Sequence, residues 1–268
     1  MSSPKVPKIP TLKPKPTVDQ QEPGQHEHTL ERLHKFLGRA GISSRRQGEK
    51  LIREGRVKVD GIVVDTVGVC IDPGKVQVTV DGRLVQPPDW VRTVMLHKPA
   101  GYVTTMADPQ GRRKVTDLLK DLKERLFPVG RLDYDAAGLL LLTNDGELAN
   151  RLMHPRYKVP KTYRITVSGN FDQESQKRLL AGVRLDGRLS IPKQVRVVKH
   201  SEDRSVIELT IREGKYHQVK RMCALVGYQV VKLKRIAYGP LHLGRLGPGD
   251  WRDLSQEELT ELEKAVGH

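Results

Sequence analysis

VGRLDYDAAGLLLLTNDGELANRLMHP, residues 129–155, is the stretch on which the fold turns. Leu139 to Leu142 is apolar at every position, so no alternation marks an outer face. Such a run suits a strand buried on both sides, in the middle of its sheet. Gly130 to Gly138, before it, is a polar loop carrying Arg131, Asp133 and Asp135. Asn144-Asp145-Gly146, after it, ends the strand and opens a helix. A loop held by a central strand is a rigid mount for a reactive group. Taken singly, Asp133 is a loop aspartate of the kind that usually caps a turn.

Outward from this stretch, strands dominate. Strand candidates are 93–96, 138–143, 161–167, 194–198, 205–211 and 229–238. Tyr163, Ile165 and Val167 alternate onto one core-facing side. Val219, Met222, Cys223 and Val226 give one helix a buried stripe. Ser255 and Glu258 form a capping box for a C-terminal helix carrying Leu259, Leu262 and Val266. The pattern is α+β, with a mainly antiparallel mixed sheet over residues 91–257 and a C-terminal helix over 258–268. There is no Gly-rich phosphate loop and no dinucleotide fingerprint, so no nucleotide cofactor is expected.

Upstream lies a smaller module, residues 30–90 with its linker. Leu33, Phe36, Leu37 and Ala40 mark one helix face, ended by Gly41. Ser44 and Gln47 make a capping box for a second helix, with Leu51 and Ile52 on its apolar side and Gly55 as its stop. VKVDGIVV then reads as a hairpin about Asp60-Gly61. Residues 81–91, with Pro87 and Pro88, read as a linker.

The charges of this module are oddly placed. Arg45 and Arg46 sit in the first turn of the second helix, against the preference of the helix dipole for anions there. Arg46, Lys50 and Arg53 share one face; Arg56 and Lys58 share one face of the following strand. A phosphate would satisfy both the helix N-terminus and the arginines.

The whole chain carries 47 Lys and Arg against 32 Asp and Glu, a net charge of +15. Such a field attracts polyanions. No basic amphipathic helix with bulky aromatic anchors appears, which favours nucleic acid over an anionic membrane. No stretch approaches the roughly 20 apolar residues of a membrane helix, and no apolar segment opens the chain. Residues 1–28, rich in Pro and Lys, are expected to be a disordered basic tail. Cys70 and Cys223 are far apart and read as free thiols of a reducing cytoplasm. The nine histidines show no ligand spacing, and no metal site is expected.

Two resemblances add to this reading. ERLHKFLGRAGISSRRQGEKLIREGRVKVDGIVV, from residue 31, resembles the RNA-binding domain named after ribosomal protein S-four, and the match runs to about residue 80. It implies binding to structured RNA, with Arg45, Arg46, Lys50, Arg53, Arg56 and Lys58 as the contacting cations. GRLD followed by GLLLLTNDG, then KTYRITV and EGKYHQVKRM, resembles the pseudouridine synthases, in the branch that modifies bacterial ribosomal RNA. That resemblance covers nearly all of residues 92–250. It implies that Asp133 is the catalytic carboxylate, that the Tyr163 ring stacks on the target uracil, and that Lys220 is the cation beside Asp133. Lys98 to Tyr102, KPAGY, resembles the first family motif, a structural turn. Ala136 departs from the family, where many relatives carry Thr or Ser, so a local loop hydrogen bond is in doubt.

The implied reaction breaks the bond from uracil nitrogen to the anomeric ribose carbon, turns the base and rejoins it through carbon five. Asp133 could attack the sugar or deprotonate the neighbouring ribose carbon, and the residues leave both routes open. A uridine in folded RNA must leave its stack first, which calls for an aromatic platform. Arg131 is a candidate for holding phosphate or the flipped nucleotide. The expected partner is ribosomal RNA, free or in an assembly intermediate. DGELANRLMHP tilts the target toward the large subunit, with the small subunit as the alternative. A monomer is the default state. Two other classes compete: a noncatalytic ribosome-assembly factor, which would have no need of Asp133, Tyr163 and Lys220 together, and a glycosidase, which needs paired carboxylates, whereas Asp133 and Asp135 lie close together in sequence and lack a matched second site.

Overall fold

The computed structural model describes residues 30–88, 90–122 and 124–267. The reading of a basic tail over 1–28 lies outside the described residues.

The N-terminal module packs two helices, α1 (Leu33–Arg39) and α2 (Arg45–Arg53), on an antiparallel four-stranded sheet. Strand order is Ile62–Val64, Val57–Val59, Val78–Val80, Arg83–Val85. Leu33, Leu37, Ile52 and Val57 are buried at its centre. The α2 capping box forms as read: Ser44 accepts from the Gln47 amide, and the Gln47 side chain accepts from the Ser44 amide. Asp60 and Gly61 both have positive φ, 49° and 80°, which is what a two-residue hairpin turn needs. The linker reading for 81–91 needs correction. Asp81-Gly82 repeats the same turn chemistry (φ 50° and 78°), and Arg83–Val85 is the edge strand of this sheet.

The larger module is built on a nine-stranded sheet, as an α+β fold with a mostly antiparallel, mixed sheet. Its main path runs Gln194–Lys199, Arg204–Ile211, Lys161–Ser168, Val230–Tyr238, Ala137–Thr143, Thr93–Lys98, Trp251–Asp253. Ala137–Thr143 is central, and both of its faces are buried. Leu140 and Leu142 enter one apolar cluster with Ile165 and Val167, while Leu139 and Leu141 enter another with Met95 and Leu152. α3 (Gly146–Met153) follows at once, capped by Asp145, which accepts from the Glu147 and Leu148 amides. α4 (Gln173–Ala181) and α5 (Gln218–Leu225) come next in the chain, and α6 (Gln256–Lys264), two residues ahead of its predicted start, follows the last strand.

One pairing is parallel. Val230–Tyr238 meets the central strand only through Lys234 opposite Ala137 and Arg235 opposite Gly138. The same Arg235 lies opposite Tyr163 on its other side, beside a bulge at Thr162/Tyr163. Gly138, Arg235 and Tyr163 therefore form one row across the seam between the two halves of the sheet. Gly138 has φ +113°, and a Cβ there would lie 2.2 Å from the Arg235 carbonyl oxygen. Only glycine allows so close a pairing.

Candidate active site

The loop carrying Asp133 enters the central strand at this seam. Its backbone is fastened by the KPAGY segment and the threonine just beyond it. Lys98, fully buried, donates through Nζ to the carbonyls of Ala136 at 2.7 Å, Asp133 at 2.9 Å and Pro99 at 3.1 Å. The Gly101 amide donates to the Tyr134 carbonyl at 2.7 Å. Thr104 Oγ1 donates to the Leu132 carbonyl at 2.8 Å. Attachment at Leu132, Asp133, Tyr134 and Ala136 leaves the carboxylate little freedom to wander. Burial pushes the Lys98 ammonium down to about 8. KPAGY was read as a structural turn; it is also the clamp on the aspartate loop. The signal in the sequence is a lysine closing the strand that carries the apolar run Val94–Leu96.

Ala136, where the resemblance leads one to expect a hydroxyl, is buried. The loop closes there without it, through the Ala136 amide donating to the Asp133 carbonyl at 3.2 Å.

Asp133 and Tyr163 line one pocket with Arg131, Leu132, Ala136, Ile211, Lys215, His217 and Leu233. Tyr163 is 8% exposed, at the edge of the apolar cluster that includes Ile165 and Val167. Arg131 is exposed at the same pocket. Lys220 comes within 3.6 Å of Asp133 Oδ2, but its nearer partner is Asp135, at 2.6 and 2.7 Å. That ion pair holds the Asp135 carboxyl below the usual carboxylate range. Lys220 is thus shared between two carboxylates, where the sequence reading gave it one. His217 Nε2 lies 3.6 Å from Asp133 Oδ1 and was not singled out by that reading. Its adjacency in the YHQVK stretch was the available clue.

The basic residues of the first module do not form one uniform patch. Arg45, Arg46, Lys50, Arg53, Arg56 and Lys58 are all exposed. Arg56 is engaged by Asp81 through two hydrogen bonds of 2.8 and 2.6 Å, and also by Glu54. Its charge is largely neutralised. Among the described residues, Lys50 and Arg53 make long pairs, at 3.6 and 3.8 Å, with Glu54 and Glu49. The Arg45 guanidinium lies against Gly146 at the start of α3, and Arg125 donates to the Ser43 carbonyl. The start of α2 therefore adjoins the larger module.

A family profile described as RNA pseudouridylate synthase matches residues 92–225, and an S4 domain profile matches residues 31–76. The chain is 50% identical over 237 residues to an uncharacterized RNA pseudouridine synthase of Aquifex aeolicus, covering 88% of this chain and 95% of the relative. It is 43% identical over 241 residues to the ribosomal large subunit pseudouridine synthase B of Bacillus subtilis, covering 89% of this chain and 98% of that one. A solved structure described as a pseudouridylate synthase superposes with a TM-score of 0.62 at 31% identity, over 86% of this chain and 99% of the other. Among the described residues, no helix is long and apolar enough to cross a membrane.

Proposed function

The chain belongs to the RNA pseudouridylate synthase family, and from that premise we propose that it isomerises a uridine of large-subunit ribosomal RNA, with Asp133 as the reacting carboxylate. It is an isomerase acting on RNA, with an S4 domain for RNA binding. The Bacillus subtilis relative, aligned over nearly its whole length, supports the large subunit as the source of the target. One observation carries the site assignment. Asp133 stands in a pocket that also holds Tyr163, on a loop whose carbonyls are tied down by Lys98, Gly101 and Thr104.

In this reading the target uridine leaves its stack and enters the pocket against the Tyr163 ring. Asp133 acts on the ribose as the N-glycosidic bond breaks, the detached base turns, and carbon five bonds to the anomeric carbon. No water is consumed. Lys220, shared with Asp135, supplies positive charge beside the reacting carboxylate. Arg46, Lys50, Arg53 and Lys58 meet phosphates of the flanking RNA, and their attraction is salt-dependent. The enzyme works as a monomer in the cytoplasm.

The test uses unmodified large-subunit and small-subunit ribosomal RNA in parallel. Pseudouridine is mapped by carbodiimide-stop primer extension after incubation with wild type and Asp133→Asn. A new stop in the large-subunit RNA with wild type alone is expected. A stop only in small-subunit RNA overturns the target, and full activity of Asp133→Asn overturns the catalytic assignment. Uridine deuterated at ribose carbon two then separates the routes, because only proton abstraction there gives a primary deuterium isotope effect.

A further inference from the structure

We propose that Tyr216, stacked on His217, is a platform for the nucleobase next to the target uridine in the same RNA strand. The proposal rests on the pseudouridine synthase reading and extends it to a second base-binding subsite. Tyr216 is 75% exposed, yet its ring is not free: it lies on the His217 imidazole, with centroids 3.9 Å apart and planes 16° from parallel. His217 is in the left-handed backbone region, φ +46°, which is uncommon for a residue with a side chain. Such strain persists where the surroundings over-determine it, and it clusters at functional sites.

The surroundings do over-determine it. On one side Lys215 Nζ donates to Ser190 Oγ at 2.8 Å, and the Lys215 amide donates to the buried Gln218 side chain at 3.0 Å. On the other, Arg221 is held by Asp186 at 2.6 and 3.0 Å. The chain thus fixes an outward-facing aromatic ring instead of letting it fold against the surface. His217, beneath it, lines the catalytic pocket and reaches to 3.6 Å from Asp133. A base adjoining the flipped uridine leaves the pocket at this rim. It has lost its neighbour in the stack, and a flat ring already in place replaces that neighbour without an ordering cost. Stacking of this kind tolerates any base, because every base has a π-face.

The experiment begins with the uridine located by carbodiimide mapping. A synthetic RNA spanning it carries 2-aminopurine at the position immediately before or after. With wild type, the fluorescence of one of the two probes is quenched on binding. Tyr216→Ala loses that quenching and raises KM about tenfold, with most of the loss outside kcat. Tyr216→Phe keeps the π-face and restores both. Equal quenching by wild type and Tyr216→Ala, or an unchanged KM in Tyr216→Ala, overturns the platform. Absence of any pseudouridine with wild type overturns instead the enzymatic reading on which it rests.

Discussion

Lys98→Met isolates what the clamp on the aspartate loop contributes. The substitution keeps most of the stem's volume and removes the ammonium. Its three shorter bonds, to Ala136, Asp133 and Pro99, are lost together. The Asp133 carbonyl keeps the Ala136 amide as a donor. The Ala136 carbonyl accepts from Lys98 at 2.7 Å. Stranding one buried carbonyl costs about 1–3 kcal/mol, and losing the other charge-assisted bonds adds about 2 kcal/mol. Against this, the variant no longer buries an ammonium, which returns part of the loss. The net is about 2–4 kcal/mol, a fall in Tm of about 10 °C. Activity should suffer more than stability, since a displacement of about 1 Å at a reacting group can cost about 100-fold. Initial rates of pseudouridine formation and a thermal melt are the two measurements. A folded Lys98→Met enzyme with kcat within threefold of wild type refutes the clamp. The pH dependence gives a second check. Lys98 titrates near 8 when folded and at 10.5 when unfolded. Between those values the unfolded chain holds a proton that the folded chain has released, so this group's contribution to stability rises with pH across that window. The clamp, however, is fully charged only below about 8. The rate should therefore fall as pH passes 8, and Lys98→Met should lack that limb.

Gly138→Ala would place a Cβ 2.2 Å from the Arg235 carbonyl oxygen at φ +113°; loss of soluble protein or a Tm lowered by more than about 10 °C is expected, and an unchanged melt contradicts the seam. Cys70 is exposed, whereas burial pushes the Cys223 thiol up to about 12. A thiol reagent at neutral pH should titrate one cysteine in the native protein and two after denaturation. The double variant Arg45→Ala/Arg46→Ala should weaken RNA binding and reduce the magnitude of its salt slope by about two. Arg56→Ala, which loses a guanidinium already held by Asp81 and Glu54, should change that slope by less than one, as measured by filter binding across salt concentrations.

Local features of this chain were legible because local chemistry decides them. The run Leu139–Leu142 required burial on both faces, and it is central. The Ser44/Gln47 and Ser255/Glu258 boxes and the Asp60-Gly61 turn formed where they were read. Asp81-Gly82 and Asp186-Gly187 carry the same turn signal, with both residues of each at positive φ. The first was obscured by Pro87 and Pro88 behind it, and the second by strands of only three residues on either side. What could not be read was strand order and everything that depends on it. Lys98 and Asp133 are 35 residues apart, and Lys220 and Asp135 are 85 apart. No periodicity links such pairs. The neutralisation of Arg56 by Asp81 likewise depends on which strand lies beside which.

The seam explains why the site can be both rigid and open. An antiparallel neighbour along the whole of Ala137–Thr143 would continue the ladder past Gly138 and close over the loop. The parallel partner instead meets the strand at two residues, Ala137 and Gly138, and then diverges. The pocket lies at the entering end of this junction, lined by Asp133 and Ala136 of the loop, Leu233 just before the paired residues, and Tyr163. Arg235 seals the buried side of the junction: its Nε donates to the Leu139 carbonyl at 2.7 Å, and its guanidinium lies 5.1 Å from the centre of the Tyr238 ring. The same row carries Tyr163, paired with Arg235 and bordering the pocket. A slip of one residue in the pairing of Lys161–Ser168 with Val230–Tyr238 would turn Tyr163 to the opposite face and Arg164 inward. The absent side chain of Gly138 is therefore what lets the two halves of the sheet meet beside the pocket. It sets how near Arg235 comes, and Arg235 is the residue paired with Tyr163, which lines the pocket with Asp133.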